Sequence, residues 1–175
     1  AGDDADLVLL GRLTELLARR SQLTSLVEVA DIVLAECTQL TGAEAGALLC
    51  RDGDVWRVTA GLGLRPLEHR YQLESAHWLV RTVRDDQKAV IVEDTDIARE
   101  RLHGAPLASW PQVAAAPLSD VDAFVLIARS SEPFDESAVE AIVQVADEAS
   151  SLLHEALRLR ELARALAPLA DDPSD

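Results

Sequence analysis

A chain of 175 residues that is 49% hydrophobic and 27% charged has the size and balance of one globular domain with its own core. Its formal net charge of −15 repels phosphate, which argues against direct nucleic-acid binding by this chain. No apolar run approaches bilayer-spanning length and no signal-peptide pattern opens the chain, so no membrane partner is expected and the expected location is cytoplasmic.

Two distant cysteines, Cys37 and Cys50, form neither a metal motif nor a disulfide framework. Lys88 is the sole lysine among sixteen basic residues, and the bias toward Ala, Leu, Arg and Asp matches a high-GC bacterial composition. Methionine is absent, so the chain reads as a fragment of a longer polypeptide or a processed product.

In chain order, residues 6–20 place Leu9, Leu10, Leu13, Leu16 and Leu17 on one face at helical spacing. Ser25 with Glu28 reads as a capping box opening a second helix, whose buried face carries Leu26, Ala30, Val33, Cys37 and Leu40. Thr41-Gly42 ends it, with glycine free to take the left-handed cap. Residues 43–50 and 55–61 are two strands joined by Arg51-Asp52-Gly53-Asp54, an Asp-Gly hairpin signal. Trp56 and Val58 share one face of the second strand, Arg57 and Thr59 the other.

A loop over 61–70 leads to a short extended piece and a short helix carrying Trp78, Leu79 and Val83, then a strand over 88–94. Residues 95–111 form a long connection with one helical turn, and such connections are often functional. Two near-continuous apolar strands follow, "QVAAAPL" and "AFVLIARS", joined by Ser119-Asp120-Val121-Asp122, and their composition predicts cover on both faces. The alanines at 114–116 leave room for a helix or a ligand. Pro133 ends the last strand, Asp135 caps a long final helix, and Phe134 is positioned to staple to Val139.

The ordered set "LTGAEAGALLCRDGDVWRVTAGLG", "HWLVRTVRDDQKAVIVEDTD" and "AAAPLSDVDAFVLIARSSEPFDESAVEAI" resembles the GAF domain family over about residues 21–154. The resemblance implies a PAS-related α+β fold with an antiparallel sheet of about five to six strands. Long N- and C-terminal helices would cover one face, and loops and short helices the other, around a small-molecule pocket. It divides the chain into an N-terminal helix (1–20), a GAF-like domain (21–154), and a helical extension with an acidic tail (155–175). Such domains typically sense ligands or light, or mediate dimerisation, in kinases, phosphodiesterases and transcriptional regulators.

The sequence departs from that family in several places. The short helix opens with bulky Ala76-His77-Trp78 where small residues are usual, the turn at 119–122 lacks glycine, and the Asn-Lys…Phe…Asp-Glu cyclic-nucleotide signature is missing. Residues 61–130 hold no cysteine, which removes the obvious bilin attachment and the thiols of the methionine-sulfoxide-reducing branch.

The residues expected around a pocket are Trp56, Tyr71, His77, Trp78, His103 and Trp110. Two readings of the pocket stay open: these side chains line it or fill it, since core and apolar pocket use the same residue types. Neither His77 nor His103 has a helical-spaced partner, so no metal site is expected, and haem ligation is disfavoured because a lone loop histidine is more often hydrogen-bonded surface. The cofactor is therefore left unnamed, and without a catalytic set the chain reads as a non-enzyme. An exposed, acidic Cys50 thiol would be needed to revive an enzymatic reading.

Ile142, Val145, Ala149, Leu152, Ala156, Leu159, Ala163 and Leu166 recur in alternating steps of three and four, a heptad seam. The expectation is a homodimer built through the terminal helices, with Leu9, Leu13, Leu16, Leu152, Leu159 and Leu166 at the interface and an output domain as the recipient of the signal.

Overall fold

The computed structural model describes Val8 and residues 26–92, 96–118 and 122–170, with side chains as far as residue 166. The expected first helix with Leu9, Leu13 and Leu16, the Ser25 cap, Glu93, Asp94 and most of the 119–122 turn lie outside the described residues.

Four α-helices and six strands are described: α1 (Leu26–Thr41), β1 (Ala45–Asp52), β2 (Val55–Leu62), β3 (Gln72–Glu74), α2 (Trp78–Val80), β4 (Val90–Val92), α3 (Asp96–Arg101), β5 (Gln112–Pro117), β6 (Ala123–Arg129) and α4 (Glu136–Ala170). A 3-10 turn spans Pro66–Arg70, and α2 runs into a single π turn, Arg81–Asp85. The sheet order is β3-β2-β1-β6-β5-β4, and every neighbouring pair is antiparallel. The expected α+β architecture is therefore present, with six strands.

The two ends of α1 face different problems. Its last carbonyls need partners, and Gly42 supplies the turn at φ 69°, where a Cβ would be strained. The Ala43 N–H then donates to the Thr38 carbonyl at 3.0 Å. Leu26, Ala30, Val33 and Cys37 are buried as their spacing predicts, and Leu40 partly so. Gly53 takes φ 66° at the tip of the β1–β2 hairpin, as the Asp-Gly pair foretells.

A slip in the β1–β2 register shapes the sheet. Leu48 pairs with Ala60 while Leu49 pairs with Val58, so β2 carries one extra residue. Strict alternation would put Ala60 on the face of Trp56 and Val58. The bulge instead turns Ala60 toward the long helices with Leu48 and Cys50, while Trp56, Val58 and Leu49 face the loops.

One apolar core lies between the sheet and the pair α1 and α4; the other lies under the short elements. Ala114 and Ala116 face the long helices and Ala115 the loops, so the small side chains of β5 make room for α4 on one side. At the start of α4 the Asp135 carboxylate accepts the Ala138 N–H at 3.1 Å, the expected cap. Phe134 is buried beneath the Arg129 guanidinium, 4.4 Å from its ring. Arg129 also donates to the carbonyls of Thr41, Glu132 and Pro133, joining the end of α1 to the entry of α4.

Along α4, Ile142, Val145, Ala149 and Ala156 are buried within the chain, so half of the heptad seam is already used against α1 and the sheet. Past Ala156 the face toward the domain changes chemistry. Arg160 donates to the Arg51 carbonyl at 2.7 Å, and Arg164 binds the Asp52 carboxylate, which also holds Arg57 at 2.9 Å. The Arg164 hydrogen bond is the main reason that carboxyl stays below its ordinary range.

Gly46 sits where β1 passes under α1, and a Cβ there would lie 2.9 Å from side-chain carbons of Leu34 and Thr38. Gly46→Val should lower the unfolding free energy by about 1–3 kcal/mol, measured by urea titration, because even a Cβ there falls inside van der Waals contact and its neighbours must shift.

Candidate functional site

The loop-covered face of the sheet is where the sequence places a pocket. Trp56 lies at its centre, only 2% exposed, with its ring 5.4 Å from that of Phe124 at a 43° tilt. Leu73, Leu79, Leu107 and Leu126 complete the cluster around this pair. Trp110 is partly buried against the same cluster. Trp78 is also partly exposed, and the Arg101 guanidinium of α3 sits 5.3 Å over its ring. The central bulk on this face thus comes from Trp56, while Trp78 forms part of the outer layer.

His77 is the N-cap of α2: its Nδ1 accepts the Leu79 N–H at 3.1 Å. With Nδ1 so used, the proton belongs on Nε2, which donates to the His103 carbonyl at 2.9 Å. Both ring nitrogens are therefore engaged, and neither lone pair is offered to a metal or haem iron. His103 itself is exposed and contributes its carbonyl, while Tyr71 is half-buried just after the 3-10 turn. The structure brings Trp56, Trp78 and Trp110 together with His77 at their edge; Tyr71 and His103 stand further out.

Two residues that sequence reasoning passed over organise this face. Glu68 is buried, and its carboxylate accepts the Leu107 N–H at 2.6 Å, the Arg65 N–H at 3.1 Å and the Arg65 Nε–H at 3.0 Å. Burial pushes this carboxyl up, but the Leu107 and Arg65 N–H groups and the Arg65 guanidinium outweigh it and hold the group below its ordinary range. Leu107 is fully buried at φ 65°, a left-handed conformation that costs about 1–2 kcal/mol for a residue with a Cβ. Pro66 at the first position of the turn and Glu68 two residues later carried a local signal for the capping box. Nothing in the sequence around Leu107 announces its backbone.

Both thiols lie in the core between the sheet and the long helices. Burial, and then the neighbouring Glu36 charge, push Cys37 up to about 12; burial pushes Cys50 up to about 11. Cys50 therefore lacks the exposed, acidic thiol that an enzymatic reading requires. Among the described residues, no three His, Cys, Asp or Glu side chains gather in a way that could hold a metal ion.

Glu68→Ala should cost about 1–3 kcal/mol of stability and speed hydrogen exchange across residues 102–110, because it strands a buried N–H. Since the folded carboxyl is more acidic than the unfolded one, its contribution is present above the ordinary glutamate range and lost as pH falls through the folded value, so the same exchange should accelerate on acidification. The thiols act at the other end of the scale. Their folded values lie above the ordinary 9.0, so stability should decline as pH rises past about 9, by up to about 1.4 kcal/mol per pH unit per thiol. Urea titrations from pH 7 to 10.5 should show that slope, and Cys50→Ala should reduce it.

A GAF domain family profile matches residues 24–154. Among solved structures, the GAF domain of an Acinetobacter phosphoenolpyruvate-protein phosphotransferase superposes with a TM-score of 0.65 at 16% identity, covering 95% of this chain and 97% of its own. The GAF domain/HD domain protein from Geobacter sulfurreducens gives 0.63 at 17% identity, covering 78% and 97%. The second GAF domain of DevS from Mycobacterium smegmatis gives 0.59 at 19% identity, covering 79% and 99%. No curated protein sequence matches the chain. The family profile spans most of the chain and these structures share its fold, so the chain belongs to the GAF domain family.

Proposed function

We propose that this chain is a non-catalytic regulatory module that homodimerises through its terminal helices and passes a signal along α4 to an output module. GAF domains are sensory and regulatory modules, which supports the broad class. The observation that carries the finer reading is the exposed leucine stripe on the far part of α4: Leu159, Leu162 and Leu166 are 39%, 46% and 55% exposed. Partly buried Leu152 begins the stripe, one flank away from the face that meets the sheet. Leucine at this spacing on a helix that continues beyond its own core favours a helical partner. No helix among the described residues is long and apolar enough to cross a membrane.

A small molecule acts in this scheme by favouring one packing of the helices over another. Its expected seat is the face carrying Trp56, Tyr71, His77, Trp78, His103 and Trp110. The tight pairing of Trp56 with Phe124 supports a second reading, in which that face is core and the module serves assembly alone.

Native mass spectrometry tests both readings together. The expected result is a dimer for the wild type and a folded monomer for Leu159→Asp with Leu166→Asp, the dimer Kd rising at least about a hundredfold. A wild-type monomer, or a dimer indifferent to both aspartates, would overturn the proposal. Retained extra mass on the dimer supports the ligand-sensing reading; a bare dimer supports the assembly reading.

A further inference from the structure

A cavity of about 860 Å³ opens between the flank of α4, the β1–β2 hairpin and the π turn. Its polar lining comes from Arg51 at the hairpin, Arg84 in the π turn, Asp122 before β6, and His154, Arg158 and Glu161 of α4. In a chain of net charge −15, the lining carries three arginines, Arg51, Arg84 and Arg158, against two carboxylates, Asp122 and Glu161, and Arg57, Arg160 and Arg164 stand beside it at the hairpin.

Asp52 and Asp122 pair with four of these arginines. Asp52 holds Arg57 and Arg164. Asp122 takes Arg84 through two nitrogens, at 2.8 and 2.7 Å, and stands 3.8 Å from Arg51. Arg160 spends its guanidinium on a backbone carbonyl. Among the described residues, none forms a hydrogen bond or ion pair with Arg158, which faces the cavity beside His154, one helical turn back.

We infer that this cavity binds a small multivalent oxyanion, a metabolite carrying phosphate or carboxylate groups. Arg158 and His154 engage it from the helix, Arg51 from the hairpin and Arg84 from the π turn. Guanidinium forks match such groups two bonds at a time, and a concave site in which arginines outnumber carboxylates attracts anions from solution. The volume falls within the range of about 300–1,000 Å³ of small-molecule sites and exceeds the need of a lone phosphate. Leu157 supplies an apolar wall for the rest of the molecule. The bound anion bridges α4 to the sheet just where apolar packing along the helix has ended. The cavity residues and the leucine stripe centre on different flanks of α4, although Arg158 and Leu162, four residues apart, are neighbours on the helix surface.

Isothermal titration calorimetry on the whole chain, in low salt, with pyrophosphate and separately with citrate, tests the inference. Expected is saturable binding of at least one of them, unmatched by sodium chloride at equal ionic strength. Arg158→Ala should weaken it about tenfold without changing the unfolding midpoint. Asp122→Asn should tighten it, because it releases Arg84 and Arg51 from an internal competitor. Preference for pyrophosphate identifies a phosphate ligand and preference for citrate a polycarboxylate. Absence of binding by both at millimolar concentration, or binding unchanged by Arg158→Ala and by Arg158→Glu, would overturn the assignment.

Discussion

The six residues from Ala45 to Cys50 and the six from Ala123 to Ala128 are buried without a break, so the middle of the sheet has no face left for water. Both faces must then be covered by apolar material, and a chain of this length has only two ways to supply it. Long helices cover a face with few residues per unit area, and α1 and α4 do so on one side. The other side is closed piecemeal by a 3-10 turn, a helix of one turn with its π continuation, α3 and the loop through Leu107. The difference matters for function, because a face closed by short pieces is held by individual polar contacts. Glu68 with Leu107, His77 with His103, and Arg101 over Trp78 are those contacts.

Much of this plan was legible because it rests on local chemistry. The Gly42 cap, the Asp-Gly hairpin and the Asp135 cap each follow from one or two residues whose backbone or side-chain preferences leave little choice. The continuous apolar runs of β5 and β6 likewise announced two-sided burial. What escaped depends on register or on distant partners. The bulge between Leu48 and Leu49 reverses the facing of Ala60, and no residue there carries a bulge signature. The left-handed Leu107 is held by a carboxylate thirty-nine positions away in sequence.

The candidate site was partly legible for the same reason. Trp56 is buried against the sheet and Trp78 lies further out, a difference that bulk alone does not announce. The heptad repeat on α4 was real as a pattern, yet a repeat is blind to what covers it. Val145 and Ala149 face the same chain's α1 and sheet, whereas Leu159 and Leu166 in the same repeat remain uncovered. The switch between them falls where the sheet runs out beneath the helix, a boundary set by tertiary length.

At that boundary the force holding α4 changes kind. As far as Ala156 the helix is fastened by excluded water, which ordinary salt leaves almost untouched. Beyond it the fastening is the contact of Arg160 and Arg164 with the hairpin, exposed to ions whose screening length is about 8 Å at physiological strength. A single uninterrupted helix therefore has two attachments to its own domain that answer to different solvents. The point at which it departs from the globule is a property of the medium as well as of the fold, and a medium of changing ionic strength moves that point along the helix without touching the core.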